Sequence, residues 1–361
     1  MIEEIWKKII RSKGVSFWRV PAFFLWLVSF VYRLLFYLKK MTSGKPVKVA
    51  APVLSVGNIV VGGSGKTPIV HFIARDLLRN GFRVGIVSSG YGRRDRSPFI
   101  EPGYKVQKMN VRRTGDEVML LAMDLSEAVF SVDASKTEAA RKLAETGLVD
   151  IIIVDDGFQH VKLHRDINLV TYDAGVRKRL LKWFPYGILR EPVTSLRKAD
   201  IVVVTRSKFA KDLNLLLKRL KKIHPRGEFY NARFTATDLV GKDQTLSVKY
   251  LEDKSVFLFA GVGNFRALRK QVFTLSGDLD RALEFSDHQV YDRTILEEIK
   301  NMADECDSDV LLTTSKDWVK LGDFDFGREI YYLNLTVDLD PGEEKLIKYI
   351  VDKLELKRRE D

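Results

Sequence analysis

The chain has a single cysteine, Cys306, among 361 residues. An intrachain disulfide is excluded, and a reducing compartment suits the sequence. Histidines number five, and His160 has only His164 as a close companion, so metal-site spacing is absent. No internal repeat or low-complexity tract is present. No uncharged run reaches the ~20 residues that cross a bilayer core; the greasiest, Val20–Tyr32, has thirteen between Arg19 and Arg33. No small-residue cleavage site follows it and acidic residues precede it, so a cleaved signal peptide is not expected. The remainder, 45% hydrophobic and 30% charged, belongs to a folded globular protein.

Basic charge is in excess at +12, and its placement is informative. Residues 1–48 carry ten Lys/Arg against Glu3 and Glu4, which is +8 of that total. A nucleic-acid binder spreads its basic face over the folded domain, so no nucleic-acid partner is expected. Here the charge surrounds the greasy run, with Phe17, Trp18, Trp26, Tyr32, Phe36 and Tyr37 interleaved. That mixture predicts a helix at the headgroup level of a membrane, held by anionic lipids on the cytoplasmic face. A buried amphipathic helix is the competing reading, and the sequence leaves spanning and interfacial placement open.

After this leader, short β-branched runs alternate with helical stretches. Strands are predicted at 52–56, 83–88, 151–154, 167–171 and 201–205, with helices at 67–79, 116–124, 136–145 and 209–222. Such alternation implies an α/β fold with a parallel sheet covered on both faces. Residues 226–250 read as a hinge or linker, and a second alternation follows to a final helix at 342–357. The expected organisation is a membrane-associated helix at 1–48, a P-loop core at 49–230 and a smaller α/β domain at 231–361 that closes over the active site.

Gly62-Gly63-Ser64-Gly65-Lys66-Thr67 follows a predicted strand and opens a predicted helix. Glycines let backbone N–H groups converge on phosphate oxygens, the helix N-terminus adds its positive end, Lys66 reaches the β- and γ-phosphates, and Thr67 can ligate Mg²⁺. Val60 stands where the usual pattern has glycine. The loop is also similar to that of ParA/MinD-like ATPases, but Val61 stands where that class has a second lysine; a membrane-associated ATPase switch is therefore the alternative function. Ile151–Val154 then delivers Asp155 and Asp156 at a strand end, where two adjacent carboxylates call for a nearby cation. ATP and Mg²⁺ are the expected cofactors. No N-K-x-D guanine reader follows the 201–205 strand.

Asp155-Asp-Gly-Phe-Gln-His160 resembles the Walker B motif of the tetraacyldisaccharide 4′-kinases, the lipid A kinases of Gram-negative bacteria. Gly57-Asn58, Ser89-Gly-Tyr-Gly-Arg93, Gly115-Asp-Glu117, Leu189-Arg-Glu-Pro192, Phe259-Ala-Gly-Val-Gly-Asn264, Asp287-His288 and Thr313-Thr-Ser-Lys-Asp317 follow in the family's order. Ser89 stands where relatives commonly have Arg after the first Ser of S-R-G-Y-G, and Phe-Pro-Tyr-Gly precedes Ile188-Leu-Arg190. The resemblance implies transfer of the ATP γ-phosphoryl to the 4′-hydroxyl of an acylated glucosamine disaccharide 1-phosphate, on the cytoplasmic face of the inner membrane, with no obligate protein partner. It implies Asp116 as base, His288 as its orienting partner and Lys66 as the third catalytic group. It places Gln159 and Glu191 with Gly62–Thr67 at the nucleotide, Asp155 and Asp156 with Thr67 at the metal, and Tyr91, Arg93 and Arg190 at the acceptor. Read without the resemblance, Asp116 is a helix N-terminal residue and His288 a loop histidine.

Overall fold

The computed structural model describes residues 5–6, 9–10, 19–287 and 289–358. The greasy run lies in a helix of 24 residues, Arg19–Thr42, longer than thirteen because Arg33 does not end it. The Arg33 guanidinium lies over the Tyr37 ring, 5.9 Å from its centroid, which lets a charged head sit beside an apolar stem. By length and composition the helix could cross a membrane. One face is pinned by aromatic contacts: Tyr32, Phe36 and Tyr37 lie 6.3, 5.4 and 6.2 Å from Trp183. The rest stays uncovered, with Phe24, Leu27, Val28, Val31, Leu34 and Leu35 exposed. A solvated apolar patch of that size marks a contact surface.

The remainder divides into two compact units that are not sequential: residues 1–87, 135–233 and 339–361 in the first, 88–134 and 234–338 in the second. The segment 88–134 thus leaves the 49–230 core that sequence alone suggests. In the first unit the strands run Glu228–Val240, Ile201–Thr205, Ile167–Asp173, Val53–Asn58, Ile151–Asp155 and Val84–Ser88 in spatial order. Every neighbouring pair is parallel. The strands Val53–Asn58, Ile151–Asp155 and Ile201–Thr205 are buried along their whole length, which is why they read as unbroken apolar runs. Sequence order reverses at the central Val53–Asn58 strand. Loops leaving the C-terminal ends of strands on either side of such a point enclose the crevice where ligands bind in open α/β sheets.

The second unit holds strands Leu279–Glu284, Val256–Ala260, Val310–Thr314 and Glu329–Asp340 in that order, and an antiparallel pair Phe99–Pro102/Val129–Val132. Its helices begin at side-chain caps that the sequence supplies: Asn264 accepts from the Ala267 amide, and Asp292 from the Ile295 amide. The stretch expected to be a linker contains the thirteen-residue strand Glu228–Val240, which starts in the first unit and ends in the second. Its burial alternates loosely instead of running solid, so it lacks the apolar run that marked the other strands.

One close approach couples the central strand to the aspartate turn. A Cβ on Gly57 would stand 2.5 Å from Phe158 Cβ and 2.8 Å from the Phe158 backbone nitrogen. Backbone cannot yield as a side-chain tip does. We expect Gly57→Ala to cost about 1–3 kcal/mol through overpacking; chemical denaturation would measure it, and a loss within a few tenths would show that the turn moves freely.

Candidate functional site

The helix Lys66–Arg79 starts at Gly65, whose φ of 80° is left-handed and costs a glycine nothing. No side chain caps this terminus, so the first amides of the helix have neither an intrahelical acceptor nor a capping oxygen and point outward for an anion. The loop is locked from several sides. Asn58 Nδ2 donates to the Ser64 hydroxyl at 2.8 Å and to the Gly62 carbonyl at 3.3 Å. The Ser64 and Thr171 hydroxyls share a hydrogen bond of 2.7 Å, and Thr205 Oγ1 donates to the Ser64 carbonyl at 2.9 Å. From the far side, the Val61 amide donates to the Ile188 carbonyl at 2.7 Å. Ser64 and Thr205 are buried. A loop held in this way presents its amides without a reorganisation cost on binding.

Asp156 is the electrostatic centre of this unit. Lys66 Nζ lies 3.3 Å from its Oδ1, and Arg190 Nη1 donates to its Oδ2 at 3.0 Å. Burial pushes the carboxyl up, but Lys66, Arg190 and Lys136 outweigh that and hold it at about 2. Its backbone sits at φ 50°, a left-handed conformation that an Asp tolerates better than most residues. Lys136 stabilises the turn: buried at the start of the helix Lys136–Glu145, its Nζ donates to the carbonyls of Asp155 and Asp156 at 2.7 and 2.9 Å. Gln159 Nε2 donates to the Asn58 carbonyl at 2.6 Å and to Glu191 Oε1 at 3.4 Å, while Glu191 itself is buried. Thus Lys66, Asp156 and Arg190 are brought together, and Gln159 joins Glu191 to the phosphate-loop strand. For His160, burial and then Lys136 and Lys39 push the imidazole down to about 4, so it is neutral at neutral pH.

In the second unit Asp116 is the first residue of the helix Asp116–Asp124, following Gly115. Lys320 Nζ lies 4.0 Å from Asp116 Oδ2, and Lys316 Nζ lies 3.3 Å from Glu117 Oε1. Tyr91 is exposed at 70%. Arg93 is placed otherwise than a ligand-facing cation: it is buried, and its guanidinium donates to the carbonyls of Ser97 and Arg96 at 2.8 and 3.0 Å, bracing its own loop. The expectation for His288 lies outside the described residues. Its neighbours Asp287 and Gln289 belong to the same unit as Asp116, so pairing the two would need no closure between units.

Sequence reasoning named Asn58 only as part of a motif, without a role, and missed Lys136, Thr171, Thr205 and Lys320. Asn58 and Thr205 close strands, Lys136 opens a helix, Thr171 lies near the end of its strand, and Lys320 sits in a turn. A polar residue closing a largely apolar strand, as Asn58 and Thr205 do, is the signal that points to two of them.

A glycine loop between a buried parallel strand and a helix, with Lys66 and Arg190 on a carboxylate from the adjacent strand, defines a P-loop enzyme of the phosphoryl-transfer class. Residues 21–355 match the family described as tetraacyldisaccharide-1-P 4′-kinase. The chain belongs to that family and is an ATP-dependent kinase of lipid A biosynthesis. Among the relatives it resembles, the tetraacyldisaccharide 4′-kinase of Halothermothrix orenii is 31% identical over 345 residues, covering 88% of each chain. That of Bdellovibrio bacteriovorus is 31% identical over 277 residues, covering 76% of this chain and 80% of the relative. The crystal structure of LpxK from Aquifex aeolicus in complex with ATP superimposes with a TM-score of 0.73 at 30% identity, over 92% of this chain and 97% of that one.

Proposed function

We propose that this kinase joins the γ-phosphorus of ATP to the 4′-hydroxyl oxygen of an acylated glucosamine disaccharide 1-phosphate, at the cytoplasmic face of the inner membrane. The observation that carries the nucleotide half is the locked loop with Lys66 and Arg190 converging on Asp156. Asp116 takes the proton of the 4′-hydroxyl as its oxygen attacks; the bond from the γ-phosphorus to the β–γ bridging oxygen breaks, ADP leaves, and the proton passes to solvent. His288 orients Asp116. Lys66 follows charge onto the departing phosphate, and the outward amides of the helix at Lys66 hold the phosphate oxygens.

The donor chemistry fits Mg²⁺. A threonine hydroxyl at the start of the helix and two carboxylates at the end of the adjacent strand are the hard oxygens this ion takes when phosphates complete its shell. Thr67, Asp155 and Asp156 would hold it. Once bound, it would neutralise charge on the β- and γ-oxygens. Tyr91 and Arg190 are the acceptor contacts we assign, with Arg93 bracing the loop beside Tyr91. The exposed face of the Arg19–Thr42 helix supports a membrane seat, and Lys39, Lys40, Lys45 and Lys48 favour anionic headgroups.

Radiolabelled transfer tests the whole reading. Incubation of the full chain with γ-labelled ATP, magnesium and the disaccharide 1-phosphate in anionic vesicles is expected to yield a bis-phosphorylated lipid with one label per disaccharide. Release of label as free phosphate, with none on the lipid, would favour an ATPase switch and sink the proposal.

A further inference from the structure

A buried ion cluster in the second unit stands behind Asp116, and the phosphate machinery described above does not use it. Asp317 is wholly buried, yet each of its oxygens is engaged. Its Oδ2 accepts from the Gly261 amide at 2.9 Å and the Thr314 hydroxyl at 2.7 Å, and its Oδ1 accepts from Lys320 Nζ at 2.8 Å. Lys320 is almost as deep, its side chain 8% exposed, with the ammonium 5.4 Å from the Tyr291 ring centroid. A buried ion pair is a poor device for stability, since desolvation consumes most of its attraction. It is a good device for fixing one charge in space. Asp317 is immobilised by two donors besides Lys320, the ring of Tyr291 closes one side of the ammonium, and the next carboxylate is that of Asp116 at 4.0 Å.

We infer that Lys320 is a positioning residue for the phosphoryl-transfer step: clamped by Asp317 and Tyr291, it holds the Asp116 carboxylate in place. The inference rests on the reading of Asp116 as the base. A cation at that distance keeps the carboxylate ionised and ready for the hydroxyl proton, and draws it toward one rotamer. Among the described residues, other charged groups stand near Asp116. Glu117 is its chain neighbour and pairs with Lys316. Burial pulls the Lys316 ammonium down, but Glu117, Asp287 and Asp116 outweigh this and keep it charged. On the short helices packed against 116–124, Lys105 is taken by Glu101 at 3.1 Å and Arg113 by Asp95 at 3.8 Å, while Arg112 is exposed. Among the described residues, Lys320 lies within ion-pair distance of Asp116 itself.

The test uses the full chain, the lipid acceptor and ATP, with kcat and KM read across pH. Lys320→Met leaves Asp317 buried without its cation and endangers folding, so the principal variant is the pair Lys320→Met/Asp317→Asn, which removes both charges, checked by thermal melting. It should lose kcat by about tenfold or more, keep KM for ATP, and move the acid limb of kcat/KM up by about one pH unit, because removing a nearby cation makes a carboxylate easier to protonate. Lys320→Arg should restore most of the rate. Added to Asp116→Asn, the pair should cost little more, since it acts through the same group. A folded pair variant with wild-type kcat and an unmoved acid limb, beside an inactive Asp116→Asn, would overturn the role of Lys320 alone. Full activity in Asp116→Asn would instead remove the base, and Lys320's role with it.

Discussion

Asp116→Asn should lower the rate of phosphoryl transfer by about a thousandfold while leaving ATP binding intact. Asn keeps the shape of Asp and can still accept a hydrogen bond from the acceptor hydroxyl, but it cannot take the proton. Losing a positioned base costs about 10²–10⁴-fold. The substitution is gentle elsewhere. Asp116 opens a helix whose first turn also holds Glu117, so the lost favourable interaction with the helix dipole is about 0.3–1 kcal/mol at most. Asp317 stays paired with Lys320, so the buried cluster keeps its charge balance. Single-turnover transfer to the lipid acceptor, with nucleotide affinity measured separately, would separate the chemical step from binding. A variant within about fivefold of wild type would leave proton removal to solvent, as a loose transition state with little nucleophile bonding permits.

The phosphate loop was legible because its physics is local. Glycines at 62, 63 and 65, a lysine and a threonine must follow one another to wrap one anion, and the strand and helix on either side have their own periodicities. The Asp155-Asp156 turn was legible for the same reason once the loop was known. What fixes the loop was not. Ser64 is held by Asn58, Thr171 and Thr205, and Thr205 stands 141 residues away. Only the parallel register of the three strands brings them to one end of the sheet, with Asn58 opposite Thr171 and Thr205 opposite Asp173, and register is set by the whole sheet. Lys136 escaped for a related reason. On a helix start it reads as a solvated cation, and only its approach to two backbone carbonyls shows that it is a buried brace.

Strand 228–240 and segment 88–134 mark the other limit. The strand has no solid apolar run because its burial alternates unevenly along its length, which is the pattern of a sheet with one solvated flank. Segment 88–134 leaves the first unit after strand Val84–Ser88 and returns at the helix Lys136–Glu145. Its two short strands pair with each other, and no composition shift announces the excursion. A division by composition therefore placed Asp116 with the phosphate loop, whereas it shares a unit with Lys316, Asp317 and Lys320. The leader's charge pattern and aromatic belt were visible in the sequence. The helix itself runs through Arg33 to Thr42, with that guanidinium over the Tyr37 ring.

Lys66→Met should match or exceed the loss at Asp116, and its pH dependence should differ. The methionine keeps the apolar stem and removes the ammonium that would follow charge onto the γ-phosphate. Removing such a preorganised cation costs about 10²–10³-fold in rate per donor, and weaker nucleotide binding adds to the deficit in kcat/KM. Asp156 sets the pH behaviour. Its carboxyl stands at about 2 because Lys66, Arg190 and Lys136 outweigh burial. Taking away Lys66 raises that value, yet Arg190 Nη1 remains 3.0 Å from Oδ2 and Lys136 still acts on it. The group therefore stays ionised near neutrality. The rate loss should be uniform between about pH 6 and 9, and the acid limb should stay where Asp116 puts it. The stability linkage has the same sign: a depressed carboxyl contributes above its unfolded pKa near ~4 and loses that contribution as pH falls toward 2. Acid unfolding should thus begin at higher pH in Lys66→Met than in wild type. A pH-rate profile whose acid limb moves in Lys66→Met but not in the Lys320 variants would reverse the assignment of the two lysines to the two carboxylates.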